Sequence, residues 1–375
     1  MRDLQTDAVV VGGGIFGLAT ALELARRGRE VTVIDRFGSG HPATSSTGAS
    51  RSIRIAYSEP FYVDLARDAL SRWAGLERAT RRTILQLTGQ VDFGPEPVLD
   101  ALVKSSATAG VTLERRTATE LRRKMPELSD GRDGLFQVQA GTVMAAEGMA
   151  AMRLAAVDAG VRMLMPERVL AIELIEPAVV RTNERTIEAD TVIVAAGPWT
   201  GDLLVPLGIS LPLAPAVAQV TFLDAPIMVD RPGIADWPEP GGVGVYGHPV
   251  PGVGYKLAFD AGAEGWQPDT EEWPVDKAEE ERLLGWMDKH LGGVAQRVAY
   301  SQRHPWTLTP DSDFVIDRRG PLVLACGCSG HAFKFGPALG PLVADVVEGI
   351  APNPLFKLDR PGLTGMASAT RAIAR

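Results

Sequence analysis

The sequence predicts an α/β fold in two parts, a parallel-sheet domain with a mainly antiparallel β-sheet domain inserted into it. Three observations carry that prediction. The chain opens with a strand, glycine turn, helix and second strand over Asp7–Arg36 (DAVVVGGGIFGLATALELARRGREVTVIDR). The same rhythm resumes near Glu147 and again at Leu322. Between residues 213 and 305 proline and glycine rise, and short alternating strands replace it.

The opening unit explains itself residue by residue. Ala8–Val11 is a short apolar run of the kind that forms a buried parallel strand. Gly12, Gly14 and Gly17 follow in G-x-G-x-x-G spacing. The first permits the tight turn, the second lets the backbone approach a pyrophosphate, and the third lets helix pack closely on strand. Ile15 and Phe16 lie within that turn, and Leu18, Ala21, Leu22 and Ala25 give the helix one apolar face. The second strand, Glu30–Ile34, ends in Asp35, about 20 residues beyond the turn, where a carboxylate holds a ribose hydroxyl. An acid there disfavours a 2′-phosphate and hence NADP. The motif predicts a Rossmann-like site for an adenine dinucleotide and leaves NAD and FAD both open.

Composition narrows the class. A chain of 375 residues has room for about two domains. Its net charge of −8 argues against nucleic acid and against an anionic membrane surface. Two cysteines, Cys326 and Cys328, make no disulfide framework and have no further ligands at metal spacing, so both are read as core and no metal is expected. The N-terminus lacks the basic segment and cleavage site of a signal peptide, and no apolar run reaches membrane-spanning length. A cytoplasmic protein is expected.

After Asp35 and Arg36 a polar loop, residues 37–50, includes Ser46 and Thr47 and is long enough to be functional; it is expected to wrap over the cofactor. Arg51-Ser-Ile-Arg54 follows, then a helix from Pro60 to Leu76. Residues 83–93 read as a strand pair entering the second domain, followed by short helices over 98–109 and 118–124. The helix 147–159 and the strand 161–164 resume the first domain, which reaches a buried strand closing in Ala-Ala-Gly-Pro-Trp, residues 195–199. Strands over 217–222, 243–246 and 255–259, an acidic, solvent-facing helix over 275–291 and a strand over 294–302 make the antiparallel part. His290 on that helix reads as solvated. The expected division is 1–82, 145–212 and 306–375 for the dinucleotide domain, with 83–144 and 213–305 for the substrate domain.

A dinucleotide fold that returns at its C-terminus with CGCSGHAFKFGPALGP resembles the flavin-dependent amine oxidases of the D-amino-acid oxidase superfamily, most closely the monomeric sarcosine oxidase and N-methyltryptophan oxidase branch. The resemblance spans nearly the whole chain. It rests on the glycine fingerprint, on RSIRIAY (51–57), AAGPW (195–199), YGHP…YKL (246–257) and SGHAFKF (329–335). It implies FAD as cofactor and an amino acid or secondary amine bearing a carboxylate as substrate, with O2 as oxidant. Arg54 and Lys334 stand where the family holds the substrate carboxylate, a task suited to an Arg fork and a Lys point charge. Lys256 matches the lysine that assists reaction with oxygen, where a fixed cation stabilises developing negative charge. Tyr246 would line the substrate cavity. Gly330, His331, Phe333 and Lys334 precede a helix and would face the flavin, whose pyrimidine edge gains negative charge on reduction. Arg51, Val169, Gly197 and Trp199 complete the expected cofactor contacts.

Three departures from the family pattern stand out. Active-site histidines of the branch are replaced by Thr47 and Asp260. The cysteine that attaches flavin in that branch is replaced by His304, in HPWTLTPD. A histidyl–flavin bond and a noncovalent flavin packed beside His304 both remain open, the noncovalent arrangement being favoured. Asp260 reads either as an inward acid able to hold a substrate cation or as a strand-end surface acid. The resemblance implies an oxidase that converts a C–N bond to an imine and O2 to hydrogen peroxide. The alternatives are a dehydrogenase using another acceptor, a flavin-binding subunit of a larger complex, or an NAD-linked dehydrogenase.

Overall fold

The computed structural model describes residues 3–239, 241–262, 266–269, 274–295 and 297–365. The strand Asp3–Val11 runs parallel to Thr186–Val194 on one side and to Val31–Ile34 on the other. Parallel pairing continues outward from Val31–Ile34 to Arg162–Leu164, and from the end of Thr186–Val194 to Leu322–Cys326. Ala178–Thr182, Val169–Glu173 and Val315–Arg319 add antiparallel edges. Among the described residues this sheet has eight strands.

Side chains alternate across it, so both faces need cover. Ala8, Val10 and Val33 pack against the helices Ile15–Arg26, Pro60–Thr80, Ala145–Asp158 and Gly336–Val347. Val9, Val11, Ile34 and Val192 face the opposite way, onto Ile172, Val180, Leu204 and Leu363. The C-terminal helix lies against the first one, and a Cβ at Gly340 would collide with the carbonyl of Ala19. Burial of Trp73 fastens the returning segment from the side: its indole Nε1–H donates to the carbonyl of Lys334 at 2.9 Å.

The second sheet, also eight-stranded among the described residues, is antiparallel except where Gly233–Asp236 pairs parallel with Gln90–Phe93. Its strands run in the order Val298–Leu308, Ala214–Leu223, Gly254–Phe259, Val245–Val250, Gly233–Asp236, Gln90–Phe93, Gly134–Gln137, Glu114–Arg116. A three-stranded sheet, with Ser50–Ile53 and Leu85–Gln86 both paired to Gly141–Met144, stands beside these two.

Three expectations are corrected here. The strand expected over 294–302 starts at Val298 and continues to Leu308. Gly292 and Gly293, with φ of 61° and 66°, turn the chain out of the preceding helix first. Pro305 is tolerated because this is an edge strand, where a missing N–H breaks no ladder. The helix Lys277–Leu291, capped by Asp276 on the N–H groups of Ala278 and Glu279, is not wholly solvent-facing: Leu283, Met287 and Leu291 are buried. His290 is buried rather than solvated, with Nδ1 2.7 Å from Asp130 Oδ2 and 3.3 Å from Arg132 Nη2.

Candidate active site

The parallel strands place their carboxyl ends in register: Val11 is opposite Ile34 and Val194, and Ile34 is opposite Leu164. The residues just past these ends, Gly12, Asp35, Met165 and Ala195, therefore converge, and they line a long cleft. This is the crevice in which open α/β sheets bind ligands. Gly12 has φ +110° and no room for a side chain, since a Cβ would collide with Ala195. A Cβ at Gly17 would collide with the carbonyl of Gly12, so turn and helix touch backbone to backbone. Gly17 thus shapes the cleft from beneath, while Gly14, Ile15 and Phe16 line it.

Asp35 closes the turn. Its Oδ2 accepts from the N–H of Gly13 at 2.7 Å and its Oδ1 from that of Phe37 at 2.8 Å. Burial raises its pKa, and those two amides oppose the rise. Residues 37–49 form no helix or strand, and Ser46 and Thr47 line the cleft. Ser46 Oγ accepts from the first-turn N–H of Ile15 at 2.9 Å. Arg36, Val169, Gly197 and Trp199 line the outer part. There Arg36 Nη1 meets Asp269 Oδ1 at 2.5 Å, and Trp199 Nε1–H donates to the same oxygen at 3.0 Å.

Arg51 clamps the loop from within. Its guanidinium donates to the carbonyls of Ser45 at 3.0 Å, Thr47 at 2.6 Å and Ser50 at 2.8 Å, and lies 5.3 Å from the ring centre of Phe333. Next to it is His304. A Cβ at Gly48 would lie 2.9 Å from His304 Cε1, and both imidazole nitrogens are buried without a hydrogen-bond partner. Burial first, then the charges of Arg51 and Lys256, hold its pKa well below 6.5. Cys328 corrects the sequence reading of a core residue. It is partly exposed and lines the cleft, its Sγ accepting from Thr307 N–H at 3.4 Å, whereas Cys326 is buried in the core.

A second, smaller cavity opens beyond Arg51. Arg54, Tyr246, Lys256 and Lys334 line it together, although they come from four separate segments. Gly330, His331 and Phe333 form another part of its wall. Lys256 is only 1% exposed, and its ammonium donates to the carbonyl of Ser50 at 2.9 Å. Burial, reinforced by Arg51, pushes its pKa well below the usual lysine value. Lys334 Nζ donates to the carbonyl of His331 at 3.3 Å. His331 packs between Phe314 and Tyr62, with Nε2 3.0 Å from the carbonyl of Ser312. Of the two positions that Asp260 could take, the buried one is found, on the wall of this cavity. Gln90, Asp236 and Trp237 also line it and were not picked out from sequence. The polar alternation Gln90-Val-Asp92 in a strand that proves wholly buried was the available signal.

These residues fit a dinucleotide. The glycine turn admits no Cβ at Gly12, the first helical turn offers backbone N–H groups, and Asp35 stands at the end of the second strand. The orphaned nitrogens of His304, which packs against Gly48 of the cleft wall, call for a polar group that the protein does not supply. The profile of the DAO family, the FAD dependent oxidoreductases, matches residues 7–346.

The chain belongs to this family.

Its relatives agree along the whole length. This DAO-family chain is 31% identical to the monomeric sarcosine oxidase of Streptomyces avermitilis, over 94% of this chain and 96% of that one. It is 28% identical to the mouse peroxisomal sarcosine oxidase, covering 92% and 93%, and 27% identical to the N-methyl-L-tryptophan oxidase of Yersinia pestis, covering 96% of each. Among solved structures it is similar to the open form of NikD, an unusual amino acid oxidase essential for nikkomycin biosynthesis, with a TM-score of 0.82, 25% identity and coverage of 97% and 98%. The chain is an FAD-dependent amine or amino-acid oxidoreductase. Among the described residues no helix is long and apolar enough to cross a membrane.

Proposed function

We propose that the protein is an oxidase of an amino acid or N-alkyl amino acid, converting the substrate C–N bond to an imine and O2 to hydrogen peroxide. The observation that supports this reading most is the shared cavity of Arg54, Lys334, Lys256 and Tyr246, beside a cleft fit for FAD. When bound, FAD supplies the two-electron chemistry. The protein supplies orientation, charge and exclusion of water.

Arg54 and Lys334 take the substrate carboxylate, a charge-assisted contact made stronger by their burial. Tyr246 bounds the space left for the amine and its substituent. Lys256 has one carbonyl partner; as an ammonium its Nζ stabilises negative charge developing on oxygen, and its lowered pKa suits it to pass its proton on as peroxide forms. Retention of this lysine favours oxygen over another electron acceptor. The cofactor contacts are, in this reading, the glycine turn, Asp35, Arg36, Ser46, Thr47, Arg51, Val169, Gly197, Trp199, His304 and the 330–334 segment. The division of the chain into 1–82, 145–212 and 306–375 against 83–144 and 213–305 belongs to the same proposal. Cys326 and Cys328, both free, fit a reducing, cytoplasmic setting.

The test is peroxide formation by the purified, FAD-loaded protein over a panel of amino acids and their N-methyl derivatives. Turnover that requires the substrate carboxylate supports the reading; turnover only with an artificial acceptor and none with O2 replaces oxidase by dehydrogenase.

A further inference from the structure

Arg54 is buried, and among the described residues it forms no ion pair. Its guanidinium is held instead by aromatic faces and backbone. The carbon Cζ lies 4.1 Å from the ring centre of Tyr57 and 4.6 Å from that of Trp237, and Nη1 donates to the carbonyl of Ala56. Such a cation keeps donors free for an incoming carboxylate, provided that something fixes its place. Each of its supports except Tyr57 leads to one residue, Asp92.

Asp92 is 0% exposed, inside the second sheet. Its Oδ1 accepts from the indole Nε1–H of Trp237 at 3.1 Å and from Gln90 Nε2 at 2.9 Å. Its Oδ2 accepts from Gln137 Nε2 at 2.5 Å. Gln137 in turn spends its Oε1 on the backbone N–H groups of Ile55 at 3.0 Å and Ala56 at 2.9 Å, the residues that follow Arg54. Trp237 provides one face of the guanidinium sandwich, and Gln137 anchors the stretch whose carbonyl receives Nη1. The strands that bring these groups together pair Asp92 with Ala235 and Gln90 with Gln137. Burial raises the pKa of Asp92, and the charge of Arg54 and the three donors oppose that rise, so the carboxylate depends on these partners.

We propose that Asp92 is the positioning residue for the carboxylate-binding cation: it orients Trp237 and Gln137, and through them aims Arg54 into the cavity. The proposal rests on the reading of Arg54 as the group that receives the substrate carboxylate. It makes selectivity for a carboxylate-bearing amine depend on a residue that touches neither substrate nor cofactor.

Asp92→Asn tests it. The added amide N–H must face one of the three donors, so either Trp237 or Gln137 loses its anchor. Removal of the charge alone acts the other way and would tighten anion binding, which gives the test two signs. FAD-loaded wild type and variant are titrated with propionate and with propionamide, followed by the visible flavin spectrum, with FAD content and melting temperature measured alongside. The expected result is a propionate affinity at least about tenfold weaker in D92N with that for propionamide unchanged, and a D92N/R54Q double variant no weaker than R54Q alone. Unchanged or tighter propionate binding in a folded, FAD-loaded D92N overturns the proposal. Should D92N fail to fold, Trp237→Phe removes the indole N–H together with part of the ring area, while keeping an aromatic ring over Arg54. It is expected to lose propionate affinity in the same direction, and unchanged affinity there also overturns the proposal. Wild type that does not prefer propionate to propionamide overturns the carboxylate reading of Arg54 itself, and a wild-type preference that both variants retain overturns the role of Asp92 alone.

Discussion

The Lys256 ammonium donates to the backbone carbonyl of Ser50, 2.9 Å away, and so ties the centre of the antiparallel sheet to the residue that ends the loop lining the cleft. The same carbonyl accepts from Arg51 Nη1 at 2.8 Å, and Ser50 Oγ lies 3.1 Å from His248 Nε2. One residue thus sets the position of two cations relative to the cleft. No acid contacts Lys256 among the described residues, which leaves its charge available for chemistry.

Lys256→Met keeps the length and apolar stem and removes the amine. Reoxidation of reduced enzyme by O2 should slow by about 10²-fold or more, the scale of losing one preorganised electrostatic group. Reduction by substrate should change far less. Stopped-flow measurement of the two half-reactions separates these effects. The variant should also melt at a higher temperature, because a lysine that is fully buried without an acid partner costs stability.

Arg54→Gln and Lys334→Gln should each raise KM for the amino-acid substrate about tenfold to a hundredfold, the range of one charged hydrogen bond. An amine lacking the carboxylate should be affected little. Steady-state kinetics on the two substrate types decides the matter, and equal losses on both would remove the cations from carboxylate recognition.

Gly17→Ala should abolish FAD binding or folding, because the added methyl meets the Gly12 carbonyl rather than a movable side chain. The cost should reach about 3 kcal/mol or more, as for other steric lesions in a packed core. Gly28→Ala is a useful contrast: nothing lies within 4 Å of its Cβ position, but its φ of +84° leaves a backbone penalty of about 1 kcal/mol. Thermal melts and FAD content of both variants test the difference.

Stability should fall as pH drops below 6.5. His248 and His304 are buried, and burial lowers the pKa of each well below that value. In the unfolded chain both take up a proton near pH 6.5, while the folded protein binds neither until the pH is far lower. The unfolded state therefore gains protons first, and each histidine removes up to about 1.4 kcal/mol per pH unit below 6.5. Melting temperatures at pH 7.5 and 5.5 should differ less in His248→Gln than in the wild type.

How far the sequence reveals this molecule depends on how local the information is. The Asp7–Arg36 unit is local, and its strand, turn, helix and carboxylate lie where expected because sterics at Gly12 and Gly17 allow few other arrangements. The helix Ala118–Lys124 is a similar case, since the capping box of Thr117 and Glu120 marks its start within four residues of sequence. The short strands Gly134–Gln137, Gly141–Met144 and Gly233–Asp236 were not legible, since four residues beside glycine carry no periodicity and gain their structure from partners far away in sequence. For the same reason Arg54 and Lys256 could be named from a family pattern, but Asp92 could not. Its meaning lies in the register that sets it beside Trp237 and Gln137. His290 shows the converse: a polar residue on a charged helix became buried only because Asp130 and Arg132 arrive from another segment.

The most direct measurement of the central claim is anaerobic mixing of the purified, FAD-loaded protein with amino acids and N-methyl amino acids, followed by admission of O2. The account predicts that the flavin absorbance bleaches with at least one carboxylate-bearing amine and returns on aeration with one hydrogen peroxide per flavin. A flavin that none of these amines bleaches, or one that bleaches and does not recover in oxygen, would contradict it.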